Sequence, residues 1–338
     1  MKKTYENENT IMTVNGPIWS KDLGFCHSHE HLFIAKGKSA EINPSLCIDN
    51  FEKTVKELRL FKKVGGESIV DAQPIGCGRM ANLQYKASAV SGINIISSTG
   101  FHKLEFYENG HWINKLSMDD LSEVFISEYE KGMYLDGDDE YPSRRIWAKP
   151  GVIKVASDEN GIRSSYIKLF NAAAVASIET GLPILGHTEM GIAGLAQAEF
   201  FLIRGIPASS IVICHMDRKL NDYSYTKAVL NTGVYLEFDT IGRFKYHSDE
   251  DEAKLILKLV EDGYEDQILI GLDTTRERFK SYNGVIGLDY IKKSFIPLLK
   301  KYGLSQSIID KFVISNPSRA FSNHKAKCVS IDKKVRSI

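Results

Sequence analysis

The sequence has no excess of charge of either sign, because its 338 residues include 43 lysines and arginines and 43 aspartates and glutamates. This balance gives no reason to expect binding to nucleic acid or to an anionic membrane surface. No apolar run reaches the roughly 18 residues that a membrane-spanning helix needs. The opening MKKTYENENT is polar and lacks the apolar segment of a secretory signal. We therefore expect a protein that binds neither nucleic acid nor membranes.

Cysteine is also scarce, and its five copies show no paired spacing. They are Cys26, Cys47, Cys77, Cys214 and Cys328. An odd, scattered set does not predict a disulfide framework and favours a reduced, cytoplasmic protein.

Short apolar runs alternate with longer segments of helical period. The eight candidate strands are Gly24–His31, Glu67–Ala72, Ile93–Ser98, Gly151–Ser157, Pro183–Thr188, Ile211–Met216, Gly233–Phe238 and Gln267–Asp273. The candidate helices are 51–64, Ser164–Thr180, Gly191–Arg204, Tyr223–Asn231, Asp251–Asp262 and Leu288–Tyr302. This alternation predicts an α/β protein with a parallel sheet, and eight repeats predict a (β/α)8 TIM barrel. The alternative is an open doubly wound sheet, but no GxGxxG turn follows the first strand.

The pattern predicts one domain over 1–338, with a short N-terminal extension (1–23), the barrel (24–325) and a C-terminal tail (326–338). We expect the extension to cover the barrel floor. A long loop after the third strand, 99–150, is rich in aromatic residues and contains a helical piece near Asp119–Lys131. Loops of this length are usually functional; the alternative is a solvated insertion with its own small cluster.

Six residues that can ligate a metal stand at or near the ends of predicted strands. They are His29, His31, Lys154, His187, His215 and Asp273. Catalytic groups gather at the carboxyl ends of barrel strands, so these side chains should meet. A lone histidine is more often a core or surface imidazole, and a lone aspartate is often a helix cap. Six together favour a metal site.

The number of ligands indicates two metal ions rather than one. A single catalytic zinc needs three protein ligands and a water, whereas paired ions about 3.5–4 Å apart would use the whole set. An anion should bridge them. Lys154 could provide it if its amine captures CO2 as a carbamate; the alternative is a lysine paired with a buried carboxylate.

The motifs HEH, GVIKVA, GHTE, CHMD and LDTT, with the ending FVISNPSRAFS, resemble the phosphotriesterase-like branch of the amidohydrolase superfamily over nearly the whole chain. The resemblance implies a binuclear centre, usually zinc, with manganese or cobalt as alternatives, and a homodimer. It implies that His29, His31 and Asp273 bind the more buried ion and that His187 and His215 bind the more exposed one. A carbamylated Lys154 and a hydroxide would bridge them. His27, which precedes the pair, would support a ligand or lie inside the strand layer.

Two metal ions make hydroxide available near neutral pH and polarise a carbonyl or phosphoryl oxygen. Hydroxide then attacks, and Asp273 can accept its proton and pass it on. Lys154 and Asp273 are therefore the predicted catalytic residues. This chemistry is hydrolysis, and it leaves open whether a carboxylic or a phosphoric ester is cleaved.

Basic residues in the loops after the last two strands indicate the substrate. TTRERFKSYNG contains Arg276, Arg278, Lys280 and Tyr282, and TIGRFKYH contains Arg243 and Lys245. These loops commonly bind phosphate in barrels, and arginine pairs well with phosphate oxygens; the alternative is an ordinary solvated helix start. The pattern resembles the subgroup that opens phosphorylated sugar lactones, as do QPIGCGR and GFHKLEFY, which adds His102 and Lys103.

We thus expect a small-molecule hydrolase that opens a lactone of the pentono-1,4-lactone 5-phosphate type. One alternative is a lactonase or phosphotriesterase that acts on an unphosphorylated, apolar substrate with the aromatic loop as its pocket. The other is a barrel that binds a sugar phosphate without catalysis.

Overall fold

A computed structural model of the chain describes residues 9–324. The predicted C-terminal tail, residue 325 and residues 1–8 of the predicted extension lie outside that range. The strands are β1 (Thr10–Thr13), β2 (Gly16–Trp19), β3 (Cys26–Glu30), β4 (Ser68–Asp71), β5 (Asn94–Ile96), β6 (Ser98–Gly100), β7 (Val152–Ala156), β8 (Ile184–His187), β9 (Ile211–Ile213), β10 (Tyr235–Phe238) and β11 (Ile268–Ile270). All eight predicted strands are confirmed, with the third divided into β5 and β6.

The protein is α/β, and its strands from β3 onward form parallel sheets. One sheet has the order β3-β4-β5, and the other runs in sequence order from β6 to β11. The third predicted strand is divided because it changes partner: β5 pairs with β4, whereas β6 pairs with β7. Between them, the Ser97 carbonyl accepts hydrogen bonds from Gly151 and Val152.

Backbone hydrogen bonds also join the last strand region to the first. The amides of Leu272 and Asp273 donate to the His29 carbonyl at 3.3 and 3.0 Å. The carboxyl ends of β3 and β11 therefore lie side by side, which brings His29 and Asp273 together.

The helices are α1 (Lys38–Ile42), α2 (Phe51–Lys63), α3 (Ala81–Ser91), α4 (Trp112–Lys115), α5 (Met118–Lys131), α6 (Ser164–Thr180), α7 (Gly194–Leu202), α8 (Tyr223–Leu230), α9 (Asp249–Glu261), α10 (Ile296–Lys301), α11 (Gln306–Asp310) and α12 (Asn316–Ala320). π-helical turns, Ile291–Phe295 and Lys311–Ser315, lead into α10 and α12. The predicted helices are confirmed, with ends that differ by a few residues. Within residues 9–324, no helix has the length and apolarity needed to cross a membrane.

Side chains alternate between the two faces of each strand. The apolar residues therefore form two layers, as expected where both faces of a sheet are buried. In β7, Ile153 and Val155 pack in the large cluster with the helices, whereas Val152 belongs to a second cluster formed between strands. Lys154 lies on the same side of β7 as Val152. The Lys154 backbone packs directly against Gly100 of β6, because a Cβ at Gly100 would overlap the Lys154 carbonyl.

The hairpin formed by β1 and β2 packs against the second cluster. Ile11 is fully buried there with Leu23 and Phe321, and the Val14 amide donates to the Ile95 carbonyl at 2.9 Å. The described part of the N-terminal extension therefore closes the amino-terminal end of the strand layer.

The segment between β6 and β7 contains α4 and α5 and packs on the main core. Phe101, Trp112 and Tyr134 are buried, whereas Tyr141 and Trp147 are more than half exposed. The predicted domain bounds, the homodimer and the cytoplasmic location stay predictions.

Candidate metal centre

All six predicted ligands lie at or beyond the middle of a parallel strand, near its carboxyl end, and each is at least 94% buried. They are His29 in β3, His31 just after it, Lys154 in β7, His187 at the end of β8, His215 two residues after β9, and Asp273 three residues after β11. The structure brings these six side chains together in two touching groups.

The first group forms around one oxygen of Asp273. His31 Nε2 lies 3.4 Å from Asp273 Oδ1, and His29 Nε2 lies 3.7 Å from the same atom. Lys154 Nζ lies 3.4 Å from His29 Nε2. Four side chains from three strands thus direct nitrogen and oxygen atoms at one small region.

The second group consists of His187 and His215, whose Nδ1 and Nε2 atoms are 2.8 Å apart. The rings of His29 and His215 have centroids 4.9 Å apart, so the two groups adjoin. His29, His31 and Asp273 thus lie in one group and His187 and His215 in the other; the assignment of each group to a metal ion stays a prediction.

His27 does not join either group. Its Nδ1 lies 2.7 Å from Glu30 Oε1, and its ring packs on Phe61 of α2 at 4.5 Å. Strict alternation would place His27 and His29 on the same face. The pairing of β3 with β4 shifts register between His27 and Glu30, and such an irregularity re-aims the side chains that follow.

Two buried carboxylates on β10 and just after it hold the histidines in place. Glu237 Oε2 lies 2.7 Å from His29 Nδ1, and Asp239 Oδ1 lies 2.6 Å from His215 Nδ1. When each Nδ1 donates its proton to the carboxylate, Nε2 retains the lone pair that a metal ion requires.

The electrostatics of the cluster fit a bound cation. Burial, followed by the charge of Lys154 for His29 and of Arg218 for His215, lowers the pKa of both imidazoles well below the usual range. Burial does the same to the pKa of His187. The imidazoles are therefore neutral. Within residues 9–324, no lysine or arginine nitrogen lies within 4.0 Å of Glu237 or Asp239. Neutral ligands beside buried carboxylates are the donor set that divalent metals bind.

Lys154 has no exposed surface. Among the described residues, no carboxylate oxygen lies within 4.0 Å of its Nζ, and its side-chain contact is His29. The structure therefore shows no direct ion pair between Lys154 and a buried carboxylate, although the charge of Lys154 acts on the buried Glu237. An uncompensated ammonium in this position would be costly, so a neutral or modified amine fits the site better.

Two arginines complete the environment of Asp273. Arg218 Nη2 donates to Asp273 Oδ2 at 2.9 Å, and Arg243 Nη2 lies 3.2 Å from the same oxygen. Arg243 also donates to the Asp273 carbonyl. Burial alone would raise the pKa of Asp273, but Arg243 and the contact with His31 hold it well below the usual range.

Sequence reasoning did not assign Arg218 to the site, and it named Arg243 only as part of the basic loop after the seventh predicted strand. Arg218 stands three residues after His215 in HMDR, and Arg243 stands in the basic loop after β10. The available signal for Arg218 was a basic residue shortly after a histidine at a strand end. The available signal for Arg243 was its place among basic residues in the loop after β10. Glu189, two residues after His187, was missed as well: its Oε2 lies 3.6 Å from His187 Nε2 and 3.0 Å from Lys103 Nζ.

The backbone is strained at two ligands. His215 and Asp273 have φ values of 62° and 46°, in the left-handed region that side chains other than glycine rarely adopt. Each such residue costs about 1–3 kcal/mol and persists where the surroundings hold it, often at functional sites.

A cleft opens over the cluster, lined by His31, His187 and Asp273 together with both arginines. Of the predicted substrate-binding residues, His102 and Lys103 line it. The His102 ring lies 5.1 Å from that of His187. Tyr246 and Phe106 close its sides.

The other predicted substrate-binding residues lie away from the cleft wall. Lys245 and Arg276 are exposed, and the Lys245 ammonium lies over the Tyr246 ring at 4.8 Å. Arg278 is buried and donates to the carbonyls of Leu272 and Ile241. Tyr282 donates to the Asn50 carbonyl at 2.9 Å, beside α2.

Comparison with known proteins agrees with this geometry. Residues 9–321 match the model of the phosphotriesterase family. The phospho-furanose lactonase of Mycoplasmopsis synoviae is 32% identical over 326 residues, which cover 92% of this chain and 91% of the relative. The crystal structure of an amidohydrolase from Mycoplasma synoviae has a TM-score of 0.90 at 30% identity and covers 98% of both chains. A lactonase structure from Listeria monocytogenes has a TM-score of 0.86 at 32% identity, over 94% of this chain and 100% of that one.

Proposed function

The chain belongs to the phosphotriesterase family and is a hydrolase, and from that premise we propose that it opens a phosphorylated sugar lactone of the pentono-1,4-lactone 5-phosphate type. The observation that carries the hydrolytic part is the meeting of six potential metal ligands at the carboxyl ends of parallel strands. The cleft above them would hold a small-molecule substrate.

We propose that the two parallel sheets are arcs of one closed (β/α)8 barrel. The contacts that support closure are the single residue between β5 and β6 and the hydrogen bonds from Leu272 and Asp273 to His29. A closed barrel would explain why ligands from the first and last strands share one site.

In this proposal His29, His31 and Asp273 hold the more buried of two divalent ions, and His187 and His215 hold the other. Lys154, carbamylated by CO2, would contribute a ligand to both ions. Such ions, Zn2+ or alternatively Mn2+ or Co2+, supply hydroxide near neutral pH and polarise the lactone carbonyl.

The protein's own groups position the reaction and move its proton. Asp273 has one oxygen toward the histidines and the other toward Arg218 and Arg243. Ring opening breaks the acyl carbon–oxygen bond, and the leaving alkoxide must gain a proton. Asp273 takes the proton from the attacking nucleophile and, because its pKa is held low by Arg243, releases it to the alkoxide.

The charge of the cleft supports an anionic substrate. Arg218 and Arg243 line the cleft, and Lys103 reaches it from the loop after β6. Lys103 is partly neutralised by Glu105 at 2.5 Å and Glu189 at 3.0 Å. Guanidinium groups are well suited to phosphate and carboxylate oxygens.

Lys245 and Arg276 extend this positive region from the exposed loops after β10 and β11. We propose that they contact the phosphate, with the cleft-lining His102 and Lys103 as further contributors to substrate binding. Arg278 and Tyr282 bond to backbone carbonyls away from the cleft, so they would act on the substrate only through the loop after β11. The name of the Mycoplasmopsis synoviae relative, phospho-furanose lactonase, supports a phosphorylated substrate.

A panel of lactones, assayed by acid release with zinc or manganese present, tests the proposal. We expect phosphorylated pentonolactones to have a much higher kcat/KM than the same lactones without phosphate. Replacing Lys245 or Arg276 with alanine should reduce that preference and leave the rate on plain lactones nearly unchanged. Equal rates on both substrates would contradict the phosphate assignment and favour an apolar lactone or a phosphotriester. Absence of any hydrolysis by the metal-loaded protein would favour binding without catalysis.

A further inference from the structure

A second cluster of potential ligand atoms lies apart from the six predicted ligands. It consists of Asp217 after β9, His247 in the loop between β10 and α9, and Glu252 in the first turn of α9. One ligand atom from each of the three side chains lies within 4.8 Å of the others. None of the three residues belongs to the six ligands of the proposed binuclear centre.

The two carboxylates of this cluster are buried without sufficient partners. Asp217 and Glu252 have no exposed surface. Asp217 Oδ2 accepts a hydrogen bond from the Thr240 amide at 2.6 Å. Among the described residues, no donor reaches Asp217 Oδ1 or either oxygen of Glu252, and the two carboxyl groups lie against each other. In residues 9–324, no lysine or arginine nitrogen lies within 4.0 Å of either carboxylate; the ion-pair contact of Glu252 is with His247.

Two adjacent buried carboxylates are unfavourable unless a cation or a shared proton compensates them. His247 is placed to help a cation do so. Its Nε2 lies 3.1 Å from Thr240 Oγ1, and its Nδ1 lies 3.7 Å from Glu252 Oε2. Its Nδ1 also lies 3.2 Å from the Ser248 carbonyl oxygen, to which it can donate when no cation is bound. With Nε2–H donated to Thr240 instead, Nδ1 would be free to bind a cation. A ligating histidine commonly uses its other ring nitrogen in this way.

We propose that Asp217, His247 and Glu252 bind a third divalent cation, separate from the binuclear centre. Two carboxylates and one imidazole form a donor set for zinc or manganese. The charge of such an ion would balance the two carboxylates, and its coordination would use the oxygens that otherwise lack partners.

The position of the cluster indicates a structural role for this ion. His247 ends the loop that begins at Thr240 and carries Arg243 and Tyr246, which both line the cleft. Asp217 is bound to the start of that loop through Thr240, and Glu252 belongs to α9. An ion held by all three would fix both ends of this cleft-lining loop against α9.

Metal content of the full-length protein tests the proposal. The purified protein is stripped with a chelator, reloaded with zinc alone or manganese alone, separated from free metal, and analysed for metal and protein. The Glu252→Gln variant should bind one metal ion per chain fewer than the unchanged protein. His247→Gln, at a more accessible position, should lose the same ion. It provides a second test of the site if the Glu252→Gln variant misfolds. Glu250→Gln, an exposed neighbour in α9, is the matched control and should keep the full content.

Anomalous scattering from crystals of the metal-loaded protein should show a peak between Asp217, His247 and Glu252. Lys154→Ala should retain that peak even when it loses an ion from the binuclear centre, so failure of one site is distinguishable from failure of the other. The proposal is overturned if no ion binds there at saturating metal, in which case the carboxylates share a proton. It is also overturned if the additional ion lies elsewhere or survives in both variants.

Discussion

Arg218 donates from Nη2 to Asp273 Oδ2 at 2.9 Å, while the other oxygen of that carboxylate faces His31 Nε2 at 3.4 Å. The two oxygens of Asp273 therefore have different neighbours: one is directed at the ligand cluster and the other at a guanidinium. This contact fixes the rotation of the carboxylate, and it places a cation beside the group that we propose to carry the proton.

Replacing Arg218 with methionine should lower kcat/KM for the lactone about 10–100-fold, as the loss of a group that orients a ligand commonly does. Arg218→Lys should recover only part of the activity, because lysine lacks the guanidinium fork. Steady-state kinetics together with metal analysis measure both effects. Lys219→Met, at an exposed neighbouring position, is the control. Unchanged kinetics in Arg218→Met would refute a role for this contact in catalysis.

Lys154→Ala should lose the second metal ion, because the proposed bridge between the ions is removed. Metal analysis after reloading with zinc measures the loss, and activity should fall with it. Short-chain carboxylates added to the assay should restore part of the activity by supplying two bridging oxygens. Full binuclear occupancy in the variant would exclude the carbamate bridge.

Asp239→Asn should weaken metal binding at both parts of the centre. Asp239 lies 2.6 Å from His215 Nδ1 and 3.4 Å from His29 Nδ1, so it supports one ligand from each group. We expect apparent metal affinity to fall about 10–100-fold, measured as the rate and extent of metal loss to a competing chelator. Asp49→Asn, an exposed position, should behave like the unchanged protein. If Asp239→Asn retained metal equally well, Asp239 would not be needed to orient the histidines.

The fold was predictable where one local pattern decided the outcome. Apolar runs located the strands, and helical period located α2 and α6 almost to the residue. The interruption at Ser97 was not predictable, because it arises when neighbouring strands change partners. The direction of the His27 side chain depends on a register shift between β3 and β4. That shift is a property of two paired segments and cannot be read from one of them alone.

The same distinction applies to the candidate site. The meeting of its six candidate ligands was predictable because each stands at or near the end of an apolar run, and parallel strands bring such positions together. Arg218 and Arg243 reach Asp273 from two different loops, and loop conformation is not encoded by spacing. The Asp217–His247–Glu252 cluster likewise joins residues from two loops and a helix, and none of the three stands in a recognisable motif.

The buried pair Arg79 and Glu128 joins the loop after β4 to α5. Arg79 Nη1 and Nη2 donate to the two Glu128 oxygens at 2.8 and 2.5 Å, and Arg79 also donates to the carbonyls of Ser98 and Tyr134. The two side chains are 1% and 0% exposed. This pair therefore ties the long segment between β6 and β7 to the strands that carry the site.

Removing one member of such a pair leaves a buried charge without its partner, which typically costs about 3–5 kcal/mol. We expect Glu128→Gln to lower the free energy of unfolding by about that amount, measured by urea denaturation, whereas Glu130→Gln at an exposed position of the same helix should change it little. The double variant Arg79→Met/Glu128→Leu removes both charges. Its free energy of unfolding should lie closer to that of the unchanged protein than the sum of the single effects, because neither variant side chain leaves an unpaired charge. Additive losses would mean that the two residues stabilise the segment independently, through their contacts with Ser98, Tyr134 and the backbone rather than through each other.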